Sequence, residues 1–218
     1  MKVVITGTSR GIGHAAALKF LSMGHQVTGL DRCLSDINNT EYKHIRCNIW
    51  TDELPDVPDV DILINNAGQQ SEADENDDID VNLKALIRCT RKYGIRRGIK
   101  AIVNVASVSA HTGAEFPEYA ASKGGVLSYT KNVANLVAKW GATCNSVSPG
   151  GVLTASNNHV IENPKLWSEV LNECLLRKWA EPSEIAEWLY FIAVVNKSMT
   201  GQDVIIDNGE TAKFNFVW

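Results

Sequence analysis

Residues 3–20 read as strand, glycine turn and helix in direct succession, and few folds accommodate that order. Val3-Val4-Ile5 is a short β-branched run, Thr6-Gly7-Thr8-Ser9-Arg10-Gly11-Ile12-Gly13 follows, and His14-Ala15-Ala16-Ala17-Leu18-Lys19-Phe20 is compatible with a helix. Gly7 permits a tight turn, Gly11 lets backbone approach a pyrophosphate, and Gly13 lets helix pack on strand. The free N–H groups of the helix face the anion, and Ser9, Arg10 and Ile12 complete the phosphate seat. A nucleotide-binding α/β architecture is the expectation.

The rest of the chain repeats the alternation. Short apolar runs occur at Val27 to Leu30, His44-Ile45, Ile62-Leu63-Ile64, Ala101 to Val105, Thr143 to Val147 and Val204-Ile205-Ile206. Helical periodicity marks Gly13 to Met23, Asn82 to Tyr93, Tyr119 to Trp140 and Ser183 to Val194. This predicts a doubly wound Rossmann fold with a mainly parallel seven-stranded sheet, in which the loops after Ile5, Leu30, Ile64, Val105 and Val147 line the site. The connections into and out of His44-Ile45 are too short for a full covering helix. Pro55, Pro58 and five acids in Asp52 to Asp61 argue for an extended link there. The acidic stretch Glu72 to Asp80 reads as a solvated loop or helix start.

Composition excludes several function classes. A chain of 218 residues, 44% hydrophobic, can bury one sizeable core, so residues 1–218 are expected to form one domain. Its 25 acids against 21 bases leave no basic excess for a polynucleotide. The longest apolar stretch, Trp188 to Val195, falls far short of the roughly 20 residues that span a bilayer. The glycine loop follows Met1 too closely for a secretion signal, so no membrane role and a cytoplasmic location are expected. Five scattered cysteines without a CxxC pair suggest reduced thiols and no metal site.

The second strand ends at Asp31, where a carboxylate can accept from both adenosine ribose hydroxyls and would repel a 2′-phosphate. That favours NAD, while Arg10 and Arg32 leave NADP possible. Tyr119 and Lys123, four apart in a helical run, share one face. A unit charge about 4 Å from a phenol is worth about 4 kcal/mol at an effective dielectric of about 20, so Lys123 is expected to make Tyr119 more acidic. Tyr119 could then take a proton from an alcohol or return one to a ketone. Ser107, after the strand Ala101 to Val105, can hold the substrate oxygen, with Ser109 the alternative.

On these residues the chain resembles a compact single-domain short-chain dehydrogenase/reductase, and the resemblance spans nearly the whole sequence. It includes Asn65-Asn66-Ala67-Gly68, which in the family packs against the coenzyme, and Asn82 within Asp80-Val81-Asn82-Leu83. It extends to Pro149-Gly150-Gly151-Val152-Leu153-Thr154 and to Thr200-Gly201-Gln202-Asp203 leading into Asp207-Asn208-Gly209. The resemblance implies a coenzyme site that includes Asn66, Ala67, Gly68, Pro149, Gly150, Val152 and Thr154. It also implies a proton-relay water held by Asn82 and serving Lys123. Asn48, followed by Ile49, stands where the family often has an aspartate touching adenine, and an amide can still make that bond. The Ser107 to Tyr119 spacing is one residue shorter than usual in the family.

These readings predict reversible hydride transfer between NAD(H) and a small-molecule secondary alcohol or ketone. Two alternatives are an NADPH-dependent reductase of 3-oxoacyl thioesters and, outside enzymes, a coenzyme-sensing regulator. Residues 155–177 can form a substrate lid with Trp167, Leu171 and Leu175 as its apolar face. Gln69, Gln70, His111, Glu115 and Phe116 should reach the same cleft, His111 as a wall or loop residue. The resemblance implies a homo-oligomer, tetramer or dimer, and the apolar tail Phe214 to Trp218 agrees with one.

Overall fold

A computed structural model describes residues 1–70, 77–114 and 116–213. The strands are β1 Lys2–Thr6, β2 Gln26–Asp31, β3 Tyr42–Arg46, β4 Ile62–Asn65, β5 Ala101–Val105, β6 Thr143–Pro149 and β7 Asp203–Ile206. Each contains one of the predicted runs. They form one parallel sheet in the order β3-β2-β1-β4-β5-β6-β7. The order reverses direction at β1, whose neighbours are β2 and β4. In such sheets the ligand crevice opens at that point, beyond the carboxyl ends of the strands.

Alternation along each strand divides the core. Val3, Ile5, Ile62, Ile64 and Val103 meet Ala17, Phe20, Ile185 and Leu189 from helices Gly11–Ser22 and Pro182–Tyr190. Val4, Leu63, Ile102 and Cys144 meet Cys89, Tyr93, Val133 and Val137, from a continuous helical run over 77–94 and from helix Pro117–Val137. Full burial of each Leu, Ile or Phe contributes about 1.5–3 kcal/mol. The helix boundaries differ from expectation by a few residues. The first helix begins at Gly11, and the 77–94 run begins before Asn82 and includes π-type turns at Asp80–Lys84 and Thr90–Gly94. Pro117 and Pro182 open their helices, where a fixed φ helps and the missing N–H costs nothing.

Neither connection flanking β3 contains a helix, as its length required. Arg88 secures the second one instead: Nη1 donates to the Ile49 and Trp50 carbonyls at 2.9 and 2.7 Å, and Nη2 donates to the Asp52 carbonyl at 2.5 Å. Lys92 and Tyr93 add bonds to the Leu54 and Pro55 carbonyls. Helix Pro117–Val137 approaches the 77–94 run closely at Gly125, where a Cβ would come within 2.6 Å of Leu83. The expected apolar tail, Glu115 and most of the acidic stretch, residues 72–76, lie outside the described residues.

Candidate active site

The glycine turn has the geometry its sequence suggested. Gly7 adopts φ +76°, and a Cβ there would sit 2.8 Å from the Ala67 Cα. A Cβ on Gly13 would lie 2.0 Å from the Gly7 carbonyl oxygen, so helix and strand meet there at a distance only glycine allows. Asn66 Nδ2 donates to the Thr6 and Gly7 carbonyls at 3.0 and 3.1 Å, and the Asn66 and Ala67 amides donate to Thr6 Oγ1. The end of β4 is thereby stitched to the turn. The helix that follows has no acidic residue in its first turn and no side-chain cap. Its N-terminal dipole and amides suit a phosphate, so the residues present fit a dinucleotide.

Asp31 is held by two amides, Ser9 N at 2.9 Å and Cys33 N at 2.8 Å. Its carboxylate is therefore fixed at the end of β2 beside the loop by contacts other than Arg32. Asn48 Oδ1 accepts from the Trp50 amide at 3.1 Å, closing its own turn, and Ile49 is buried.

Ser107, Tyr119 and Lys123 converge beyond β5. The Ser107 hydroxyl is placed so that it favours the ionised form of the Tyr119 phenol, and Ser107 Oγ donates to Ser109 Oγ at 3.3 Å. Lys123, 4% exposed, donates from Nζ to the Val105 carbonyl at 3.0 Å and stands 5.6 Å from the Tyr119 ring centroid. Asn82, fully buried, accepts from Gln69 N at 2.8 Å through Oδ1; its Nδ2 donates to Gln69 O at 2.8 Å and to Ser122 Oγ at 3.1 Å. Gly68 lies between them: a Cβ there would be 3.0 Å from Asn82 Oδ1 and 3.4 Å from Lys123 Nζ.

One expectation fails here. Burial pushes the Tyr119 phenol above its ordinary value of 10, opposed by the Ser107 hydrogen bond and reinforced by Asp78. Burial also pushes Lys123 down to about 8, with Asp78 acting in the opposite sense. Spacing suggested that the ammonium would make the phenol more acidic. In the folded chain both groups have lost water, and that loss dominates.

Sequence reasoning also missed the groups that hold this geometry. Asn65 Nδ2 donates to Thr90 Oγ1 and Asn104 Oδ1, and Asn104 Nδ2 donates to Thr130 Oγ1, a buried polar ladder binding β4 and β5 to the 77–94 run and to helix Pro117–Val137. Asp78 was read as part of a solvated stretch, yet it is 3% exposed. Its place four residues before Asn82, on the same helical face, was the available signal.

The Pro149–Thr154 segment reaches back to the glycine turn, with the Thr154 methyl 3.4 Å from the position of a Cβ on Gly11. Gly150 lies against Asp207, while Gly151 lies under the Trp179 indole, which a Cβ would meet at 2.2 Å. Val152 is buried and bridges to Ala180. Beyond it, short helices fill Ala155–Asn157, Asn158–Ile161 and Pro164–Glu173. Trp167 packs edge-on against Trp179 at 5.1 Å, whereas Leu175 lies past the helix end and against Gly209. Trp167, Leu171 and Leu175 therefore do not form one helical face. His111 pairs with Asp203 at 2.8 Å. No cluster of metal-ligating side chains occurs among the described residues, and no helix there is long and apolar enough to cross a membrane.

Residues 1–165 match the short chain dehydrogenase family. The chain belongs to that family. As a short-chain dehydrogenase it is an NAD(P)-dependent oxidoreductase, and its relatives span its length. It is 29% identical to the 3-oxoacyl-[acyl-carrier-protein] reductase FabG of Staphylococcus epidermidis, over 94% of this chain and 97% of that protein. A 4-hydroxyisoleucine dehydrogenase mutant complexed with NADH and succinate superposes with a TM-score of 0.88 at 28% identity, covering 99% of this chain and 100% of the other. The Thermoplasma acidophilum aldohexose dehydrogenase gives 0.83 at 26% identity, over 100% and 96%.

Proposed function

We propose that the enzyme transfers hydride reversibly between NAD(H) and a secondary alcohol or its ketone, in one dinucleotide-binding domain spanning residues 1–218. The observation that carries this reading is the convergence of the Tyr119 phenol, the Ser107 hydroxyl and the buried Lys123 ammonium beyond the carboxyl end of β5, in the sheet that holds the glycine turn. Ser107 orients the substrate oxygen; its effect on the Tyr119 phenol favours it over Ser109. Tyr119 gives the proton to a ketone or accepts it from an alcohol. Lys123 stabilises negative charge on the phenol, and Asn82 lies beside it across Gly68, on the proton path to solvent.

The bound nicotinamide supplies the hydride or accepts it. The glycine turn with Ser9, Arg10 and Ile12 seats the pyrophosphate, and Asn48 and Ile49 line the adenine side. Asn66, Ala67, Gly68, Pro149, Gly150, Val152 and Thr154 form the wall toward the nicotinamide. Asp31, fixed by two amides, supports NAD over NADP because its carboxylate would repel a 2′-phosphate. A coenzyme competition tests this choice, and a clear NADPH advantage in kcat/KM refutes it.

A second reading, reduction of 3-oxoacyl thioesters with NADPH, is supported by the named activity of the Staphylococcus relative and by Arg10 and Arg32 beside the seat. Activity with a panel of secondary alcohols, sugar alcohols and 3-oxoacyl thioesters, with Tyr119→Phe as control, separates the two readings. Turnover surviving in Tyr119→Phe refutes both. Residues 155–177 serve as the substrate lid in this proposal. The chain also forms a homo-oligomer, supported by exposed Trp188, Phe191 and Val195 and by Ile205 on the edge strand β7, which together present apolar surface. Light scattering that finds a monomer at micromolar concentration removes that part.

A further inference from the structure

Asp78 is the most buried of the described acidic residues at 3% exposure, and the proposed chemistry has not used it. It stands one helical turn before Asn82, so the two side chains share a face of the 77–94 run. That face is turned toward helix Pro117–Val137, because Asn82 Nδ2 donates to Ser122 Oγ there. The Asp77–Ile79 turn packs on the same helix, which carries Tyr119 and Lys123. On that helix the Lys123 ammonium and the Tyr119 phenol both feel the charge of Asp78; Glu118 there is exposed. On its own run, Asp77 is exposed and Asp80 pairs with Lys84 at 2.7 Å. A carboxylate buried to this degree is costly unless opposite charge or donors meet it.

We propose that Asp78 is a buried negative charge acting on the Tyr119–Lys123 pair, a positioning residue that sets the pH at which both groups change charge. The inference rests on the assignment of Tyr119 and Lys123 given above. Its signature is a sign. Removing a negative charge lowers the proton affinity of both groups. Mere loosening, by admitting water, raises that of the lysine and lowers that of the phenol. The paired shifts therefore separate an electrostatic role from a structural one.

The experiment titrates the coenzyme-free enzyme. Carbon-13 labelling at lysine Cε reports Lys123, assigned with Lys123→Met, and tyrosinate absorbance minus that of Tyr119→Phe reports Tyr119. Asp78→Asn is expected to lower both midpoints by about one pH unit or more, and Asp78→Glu to leave both near the wild-type values. Asp78→Val, compatible with a buried helical face, gives the same test if the asparagine variant does not fold. Unchanged midpoints in the neutral variants overturn the proposal, as does a Lys123 midpoint that rises while that of Tyr119 falls. Neither titration requires turnover, so failure here is distinct from an active Tyr119→Phe, which would refute the functional reading itself.

Discussion

Replacing Lys123 by methionine keeps the length and apolar stem of the side chain and deletes its charge. Burial holds the folded-state lysine at about 8, against 10.5 for the free group. Below pH 8 the lysine is protonated in both states and contributes no slope. Between about 8 and 10.5 the unfolded chain binds the proton and the folded one releases it, so wild-type stability rises with pH. At about 1.4 kcal/mol per unit of displacement, the wild type gains roughly 2–3 kcal/mol over Lys123→Met between pH 7 and pH 10. Urea unfolding of the coenzyme-free proteins at fixed protomer concentration, at several pH values in that window, measures it. The constant offset between the two curves reflects the lost bond to the Val105 carbonyl and the lost attraction to the Asp78 charge, and only the change with pH tests the argument. Parallel stability curves from pH 7 to 10 would refute it.

Gly13→Ala forces a Cβ onto the Gly7 carbonyl and Asn66, so a loss of at least about 2 kcal/mol in stability and of NADH binding is expected, read by thermal melting and by coenzyme fluorescence. Wild-type binding in that variant would show that the turn relaxes freely. Because burial raises the Tyr119 phenol, alcohol oxidation, which needs the phenolate, should accelerate from neutral to alkaline pH, and ketone reduction should not. An oxidation profile flat across that range contradicts the assignment of the base. Ser107→Ala should lower kcat at least about 100-fold and Ser109→Ala far less, since Ser107 is the hydroxyl that acts on the Tyr119 phenol; the reverse order would exchange the two serines.

All seven strands were legible because β-branched runs and their alternation record which faces are buried. The helix-free connections around β3 were legible from length and proline. The helix ends were less so: Gly11 begins the first helix where a loop residue was expected, since helical dihedrals can start on the residues that seat an anion. Within the site, the i, i+4 spacing put Tyr119 and Lys123 on one face, and Ser107 joined them from the end of β5. Spacing carries no record of water, however, so the direction of the Tyr119 perturbation was misjudged. Asp78 and the Asn65–Asn104–Thr130 ladder were missed for a related reason. Their partners lie many residues away, and only tertiary packing turns an acidic stretch into a buried charge.

The Arg88 clamp grips main-chain oxygens, so the link it fastens is recognised by its path and tolerates changes in its side chains. A single long cation here bolts an extended strap to the neighbouring helical layer. That layer is the same helical run that carries Asn82. The main chain at Ile49 and the buried Asn82 are thus mounted on one beam.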